Sequence, residues 1–154
     1  MASRKIEDLH PELQPKAREM VRLLGEKGID YLIYCTFRPK AEQDALYTIG
    51  RTMSGRIVTN AKGGQSIHNF GFAVDICLII DGKVASWDTA KDWDNDQISD
   101  WQECVKIFAK YNWNWGGDWK TFKDLPHFDK KGCGDWKQLS KLKRDKKNYV
   151  ILYK

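Results

Sequence analysis

Hydrophobic positions along the chain follow two periods. Leu13, Ala17, Val21 and Leu24 recur at i, i+4, i+8 and i+11, one face of a helix that Pro11 can open and Gly25 or Gly28 can close. The run from Asp30 to Phe37 is rich in aromatic and β-branched residues and predicts a strand. Pro39 ends it and starts a second helix, with Ala41, Ala45, Leu46 and Ile49 on one side and Gly50 at its end. Residues 51–65 are polar, contain glycine and lack a period, the pattern of a loop. Phe72 to Ile80 predicts a buried strand, Asp81-Gly82 a hairpin turn, and Lys83 to Trp87 the returning strand. Ile98, Trp101, Val105, Phe108 and Ala109 mark a third helix. Short strands follow at Trp113 to Trp115 and Pro126 to Asp129, with a loop at Gly116-Gly117 between them. The pattern indicates an α+β fold, a small single domain whose largely antiparallel sheet is flanked by about three helices.

One stretch resists both periods. Residues 64–76 read G-Q-S-I-H-N-F-G-F-A-V-D-I, which sets Ser66, His68 and Asp75 among residues fit for a core. Of the three histidines, His10 stands before Pro11 and reads as a solvent-facing or capping residue, whereas His68 and His127 are embedded in aromatic and apolar sequence. A histidine so placed is commonly a satisfied core residue. Two of them, each with a carboxylate nearby, suggest one ion held in common. If His68 and Asp75 share it, seven residues span about 10 Å on a helix and about 23 Å on a straight strand. Neither geometry lets them converge, so Asn69 and Gly71 must supply a bend, which a glycine can make.

His127 is the third ligand candidate, in K-D-L-P-H-F, where Pro126 restricts the segment between Asp124 and His127. Two imidazoles and one carboxylate leave Zn²⁺ an open position, the pattern of a catalytic centre; structural zinc sites have four protein ligands. Asp124 can then take the proton of an attacking water. Arg38, at the end of the first strand, is either a contact for substrate and developing oxyanion or an ordinary surface charge. Ser66 either orients a ligand or substrate or is a turn residue.

Composition narrows the function classes. At 154 residues the chain can close one core, and 42% hydrophobic with 31% charged residues is the make-up of a folded domain. No apolar run approaches the ~20 residues of a membrane span, so membrane insertion is not expected. The first residues, MASRKIEDLH, lack an apolar segment. Synthesis in the cytoplasm without a signal peptide is therefore expected, with any action outside needing another exit route. The net charge of +5 is uneven: Lys137 to Lys154 holds seven basic residues and one acid, while the other 136 residues hold 19 basic and 20 acidic. A uniformly basic nucleic-acid binder is excluded. The division expected is a domain over 1–136 and a basic tail over 137–154, either a last strand or the start of a linker, solvated or drawn to a polyanion. Cys35, Cys77, Cys104 and Cys133 form no C-x-x-C pair and read as reduced residues, three of them in apolar contexts.

Ser66-Ile-His68, Asp75 and Asp124-Leu-Pro-His127 together resemble the S-x-H-x(6)-D and acid-x-x-His pattern of a zinc peptidase family. That family includes the D-Ala-D-Ala carboxypeptidases of vancomycin resistance and the L-alanyl-D-glutamate endopeptidases. The resemblance is closest to the latter branch, including Listeria-type phage endolysins, through Phe37-Arg-Pro-Lys-Ala-Glu-Gln-Asp-Ala-Leu-Tyr47, Val58 to His68 and Trp115-Gly-Gly-Asp-Trp119 up to Phe128. It covers roughly residues 9–129. It implies His68, Asp75 and His127 as zinc ligands, Asp124 as general base and Arg38 as the substrate or oxyanion contact. It further implies the hedgehog/D-Ala-D-Ala-peptidase type of fold, bacterial peptidoglycan as partner, a monomer, and, for a phage lysin, release through a holin pore. The expected activity is hydrolysis of the L-Ala–D-Glu bond of stem peptides. The alternatives are a D,D-carboxypeptidase with the same site and a zinc-binding interaction module without catalysis. A non-haem iron oxygenase also uses two histidines and a carboxylate, but places histidine and acid one residue apart and would leave Asp124 without a role.

Overall fold

The computed structural model of the chain describes residues 1–152. Its elements are α1 (Gln14–Glu26), β1 (Tyr31–Cys35), α2 (Lys40–Thr48), β2 (Ala73–Ile80), β3 (Val84–Ser86), α3 (Asp100–Lys110), β4 (Trp113–Trp115), β5 (His127–Lys130) and α4 (Trp136–Ser140). Every strand pairing is antiparallel. The order is β1-β2-β5-β4, and β3 takes the half of the β2 edge that β5 leaves open. This is the expected α+β architecture, with a fourth, short helix added.

Each element forms for a local reason. In α1, Pro15 sits in the first turn, where its missing N–H has no partner to lose. The helix thus starts at Gln14, three residues past the expected Pro11. Its buried face is Ala17, Met20 and Leu24, so Met20 takes the inward position expected of Val21. α3 starts at Asp100 because the Ser99 side chain accepts the Gln102 N–H and caps it, leaving Ile98 outside. At the β2–β3 hairpin, Asp81 and Gly82 have φ of 53° and 65°, and Lys83 N–H donates to the Ile80 carbonyl at 3.0 Å. Two successive positive φ values make the turn whose twist suits a tight hairpin. α2 departs most from expectation. Ala41 and Ala45 are exposed, and the one fully buried side chain is Gln43.

The alternation of β2 sorts its residues between two faces. Val74, Ile76 and Leu78 join Phe72 and Phe128 in a core closed by α1 and by Trp101, Cys104, Ile107 and Phe108 of α3. Asp75 lies on the other face. A bulge between Ile33 and Cys35 shifts the β1 register so that Cys35 pairs with Asp75, and the extra residue turns Cys35 to that same side.

The basic segment from Lys137 folds as α4 and an irregular loop closed by an antiparallel bridge between Arg144 and Val150. Leu139 and Val150 are buried in the core; Tyr153 and Lys154 lie outside the described residues. His10 joins this segment to the domain and is not solvent-facing. It is buried, its ring stacks on Phe72 at 4.5 Å, and its Nε2–H donates to the Val150 carbonyl at 2.8 Å. Its Nδ1 accepts the Glu12 N–H at 3.2 Å, which keeps the capping part of the expectation.

Candidate metal centre and catalytic cleft

The segment that resisted both periods folds as a short 3₁₀ turn, Ile67–Phe70, followed by Gly71 at φ 76°. That left-handed conformation suits glycine, and a Cβ there would come within 2.8 Å of the His10 backbone nitrogen. The turn is capped from both sides: Ser66 Oγ accepts the His68 N–H at 3.3 Å, and Asn69 Oδ1 accepts the Ser66 N–H at 3.2 Å. Asn69 also donates to the Arg38 carbonyl at 2.8 Å, while Arg38 N–H donates to the His68 carbonyl at 3.0 Å. The bend thereby returns His68 over β2.

His68, Asp75 and His127 come together. Asp75 Oδ1 stands 3.1 Å from His68 Nε2 and 3.3 Å from His127 Nδ1. The remaining ring nitrogens have outer partners. His68 Nδ1 lies 2.8 Å from the Thr36 carbonyl, and His127 Nε2 lies 3.0 Å from Asp129 Oδ2. A carbonyl and a carboxylate only accept, so each of these nitrogens carries a proton. That assigns the tautomers: His68 offers Nε2 and His127 offers Nδ1, both toward Asp75. Outer-shell bonds of this kind orient metal-ligating imidazoles and raise their basicity.

The electrostatics match this donor set. Burial alone would lower the His68 imidazole, but the Asp75 charge and hydrogen bond hold it up to about 10. Burial works against the Asp75 carboxylate too, and the two imidazoles overturn it and hold Asp75 far below its ordinary range. His127 is also raised against the effect of burial, by Asp129 first and then by Asp75. The carboxylates of Asp75 and Asp129 thus favour positive charge at the two rings, carried either by their own protons or, with both imidazoles neutral, by a divalent cation. Zinc's preference for nitrogen and carboxylate oxygen fits these donors.

Asp124 is carried by the loop before β5. A carboxylate oxygen of Asp124, one of Asp75 and a nitrogen of His127 lie within 4.8 Å of one another. Burial and then the Asp75 charge raise the Asp124 carboxyl above its ordinary value. The Gly116-Gly117 segment is a 3₁₀ turn that clamps this loop. Gly116 O accepts the Asp124 N–H at 3.1 Å, a Cβ on Gly116 would overlap the Asp124 carbonyl, and Trp115 Nε1–H donates to the Leu125 carbonyl at 2.7 Å. Trp119, in the same motif, packs its ring 5.1 Å from that of His127.

Arg38 is no free surface charge: its side chain is 17% exposed. Its guanidinium donates to Gln43 Oε1 at 2.9 Å and lies 3.7 Å from Asp75 Oδ2, while its Nε is buried without a partner among the described residues. This explains α2, whose one buried residue, Gln43, holds Arg38 and is itself tied to the Ala61 carbonyl at 2.9 Å. All these groups open on one cleft of about 1300 Å³, whose walls include Tyr34, Ser66, Trp119, Phe122 and Trp136. Sequence reasoning did not reach Thr36, Gln43 or Asp129. Asp129 was within reach, since two residues along a strand from His127 means the same face.

Residues 59–130 match the family described as D-alanyl-D-alanine carboxypeptidase. Over 122 residues the chain is 44% identical to the peptidoglycan L-alanyl-D-glutamate endopeptidase CwlK of Bacillus subtilis (strain 168), covering 79% of this chain and 73% of that protein. It is 31% identical over 120 residues to the L-alanyl-D-glutamate peptidase of Listeria phage A118, covering 77% of this chain and 37% of the phage protein. The fold is similar to that of the Serratia marcescens L-Ala D-Glu endopeptidase ChiX, with a TM-score of 0.55 at 24% identity over 84% of this chain and 87% of that one. It is also similar to the LD-carboxypeptidase LdcB, with a TM-score of 0.57 at 14% identity over 79% and 58%.

Proposed function

The chain belongs to the D-alanyl-D-alanine carboxypeptidase family, a family of zinc peptidases, and from that premise we propose that it cuts the L-alanyl–D-glutamyl bond of peptidoglycan stem peptides. The observation that carries the reading is the convergence of His68 Nε2 and His127 Nδ1 on Asp75, beside Asp124, on the floor of an open cleft. The 44% identity to an endopeptidase named for this bond selects it over release of terminal D-Ala.

His68, Asp75 and His127 would hold the zinc, which when bound polarises the scissile carbonyl and acidifies water. Asp124 accepts the proton of the attacking water as the new C–O bond forms. It then returns that proton to the departing D-glutamyl nitrogen as the C–N bond breaks. Its raised affinity for a proton suits both steps. Arg38, fixed by Gln43, directs positive charge at the developing oxyanion or a substrate carboxylate. Ser66 acts through His68, holding the turn that presents the ring. The cell wall outside the cytoplasm is the place of action, reached for a phage lysin by holin-type release.

Digestion of purified muropeptides by the zinc-loaded protein, read by mass spectrometry, tests the reading. The expected products are peptides with a new D-glutamyl amino terminus. Release of free D-Ala alone would make the chain a carboxypeptidase. No cleavage by a folded, metal-loaded protein would make it a silent binding module.

A further inference from the structure

A second cluster of acids lies on the connection from β3 into α3. Asp92, Asp94 and Asp96 offer carboxylate oxygens within 4.8 Å of one another, and Asp94, Asp100 and Glu103 form a second such group that shares Asp94. Glu103 sets this cluster apart from a solvated acidic run. Its side chain is 3% exposed, its Oε1 takes Lys27 Nζ at 3.0 Å, and its Oε2 is buried with no hydrogen-bond partner among the described residues. A buried carboxylate oxygen left without a partner is strongly unfavourable, and this one belongs to the carboxylate that closes the second group.

The path of the chain gives the cluster a defined shape. Asp92 Oδ2 accepts the Gln97 N–H at 2.9 Å and Asp96 Oδ1 accepts the Ile98 N–H at 2.8 Å, which folds the loop around its own carboxylates. Gln97 adopts φ 74°. Counted from Asp92, the acids occupy positions 1, 3, 5, 9 and 12, with Ile98 at 7. Twelve-residue calcium loops take ligands from about these positions, a backbone carbonyl at 7 and a bidentate Glu at 12 among them, with glycine at 6 for a left-handed turn. Gln97 stands at that sixth position in the conformation the glycine would supply.

We propose that residues 92–103 bind one calcium ion, held by Asp92, Asp94, Asp96, Asp100, Glu103 and the Ile98 carbonyl. Hard oxygen donors in this number favour calcium over zinc, which prefers the imidazoles of the cleft. Lys27 is half exposed and can release Glu103 to the ion. The site locks the β3–α3 connection to the first turn of α3. It does not depend on the peptidase reading.

The test is calorimetric titration of the zinc-loaded protein with Ca²⁺ or Mg²⁺, together with thermal unfolding. One Ca²⁺ per chain is expected, with half-saturation below ~1 mM. Tm should rise by roughly 5–10 °C at a hundredfold excess over Kd, and Mg²⁺ should have a much smaller effect. Asp94→Ala should abolish both responses, and the exposed Asp96→Asn should weaken binding at least ~10-fold while keeping the loop shape. Should Asp94→Ala fail to fold, the Asp96→Asn titration decides alone. Absence of heat and of any Tm change at ~10 mM Ca²⁺, an equal response to Mg²⁺, or undiminished binding by the variants would overturn the proposal.

Discussion

Asp129 separates metal holding from chemistry. Its Oδ2 accepts the His127 Nε2–H at 3.0 Å and its Oδ1 accepts the Asn114 Nδ2–H at 3.0 Å, so it fixes the ring that offers Nδ1 to the centre. Asp129→Ala removes both bonds in a position that is 8% exposed. The freed Nε2–H then has no partner, the ring can rotate or change tautomer, and the basicity lent by the carboxylate is lost. Loss of such an outer partner weakens metal binding about 10–100-fold, which corresponds to about 1.4–2.7 kcal/mol. The assay is zinc competition against a chromophoric chelator, paired with cleavage of a stem peptide as zinc is varied. Zinc affinity should fall by that factor, and kcat at saturating zinc should stay within a few-fold of the parent. Unchanged affinity would refute the outer-partner role, and so would a loss of kcat that saturating zinc does not restore.

Asp124→Asn keeps the shape of the side chain and cannot accept a proton. Metal analysis should find zinc retained, and cleavage should fall about 10²–10⁴-fold; loss of zinc as well would make Asp124 a ligand. Gly116→Ala places a Cβ on the Asp124 carbonyl, so activity should drop sharply in a protein that still binds zinc, and normal activity would show that the clamp is dispensable. Leu139→Ala deletes a fully buried side chain of α4 and should cost about 2–5 kcal/mol in denaturant unfolding. A negligible cost would make the segment after Lys137 an appendage of the domain.

The hydrophobic pattern carried the fold because most elements here are an apolar run or a helical repeat bounded by proline, glycine or a capping residue. β2 was legible as a continuous apolar run from Phe72 to Ile80, and α3 as a helical repeat in which Trp101 and Phe108 are buried as expected while Ile98 and Ala109 are exposed. Met20 took the place of Val21 because i+3 and i+4 from Ala17 flank the same helix face on either side, and spacing alone does not choose between them. α2 formed where Pro39 and Gly50 bound it, but its apolar face was misread for a stronger reason: the helix presents Gln43 to Arg38, and a polar side chain buried by a hydrogen-bond network leaves no hydrophobic trace. The bulge at Ile33–Cys35 is silent in the same way, since register belongs to the pair of strands.

Residue types and spacing were enough to collect His68, Asp75, Asp124 and His127, because converging donors need a bend and Gly71 marks it. They could not say which nitrogen of each ring faces inward. That depends on acceptors brought from Thr36, just past the end of β1, and from Asp129, two residues on from His127 along β5. The acids at 92–103 went unread for a related reason. Without a hydrophobic period they look like solvated loop, and Gln97 removes the glycine that would have drawn attention. Only the orientation of α3 buries Glu103 and leaves Oε2 without a partner. A metal site whose ligands are all surface-type residues becomes recognisable when one of them is found where water cannot serve it.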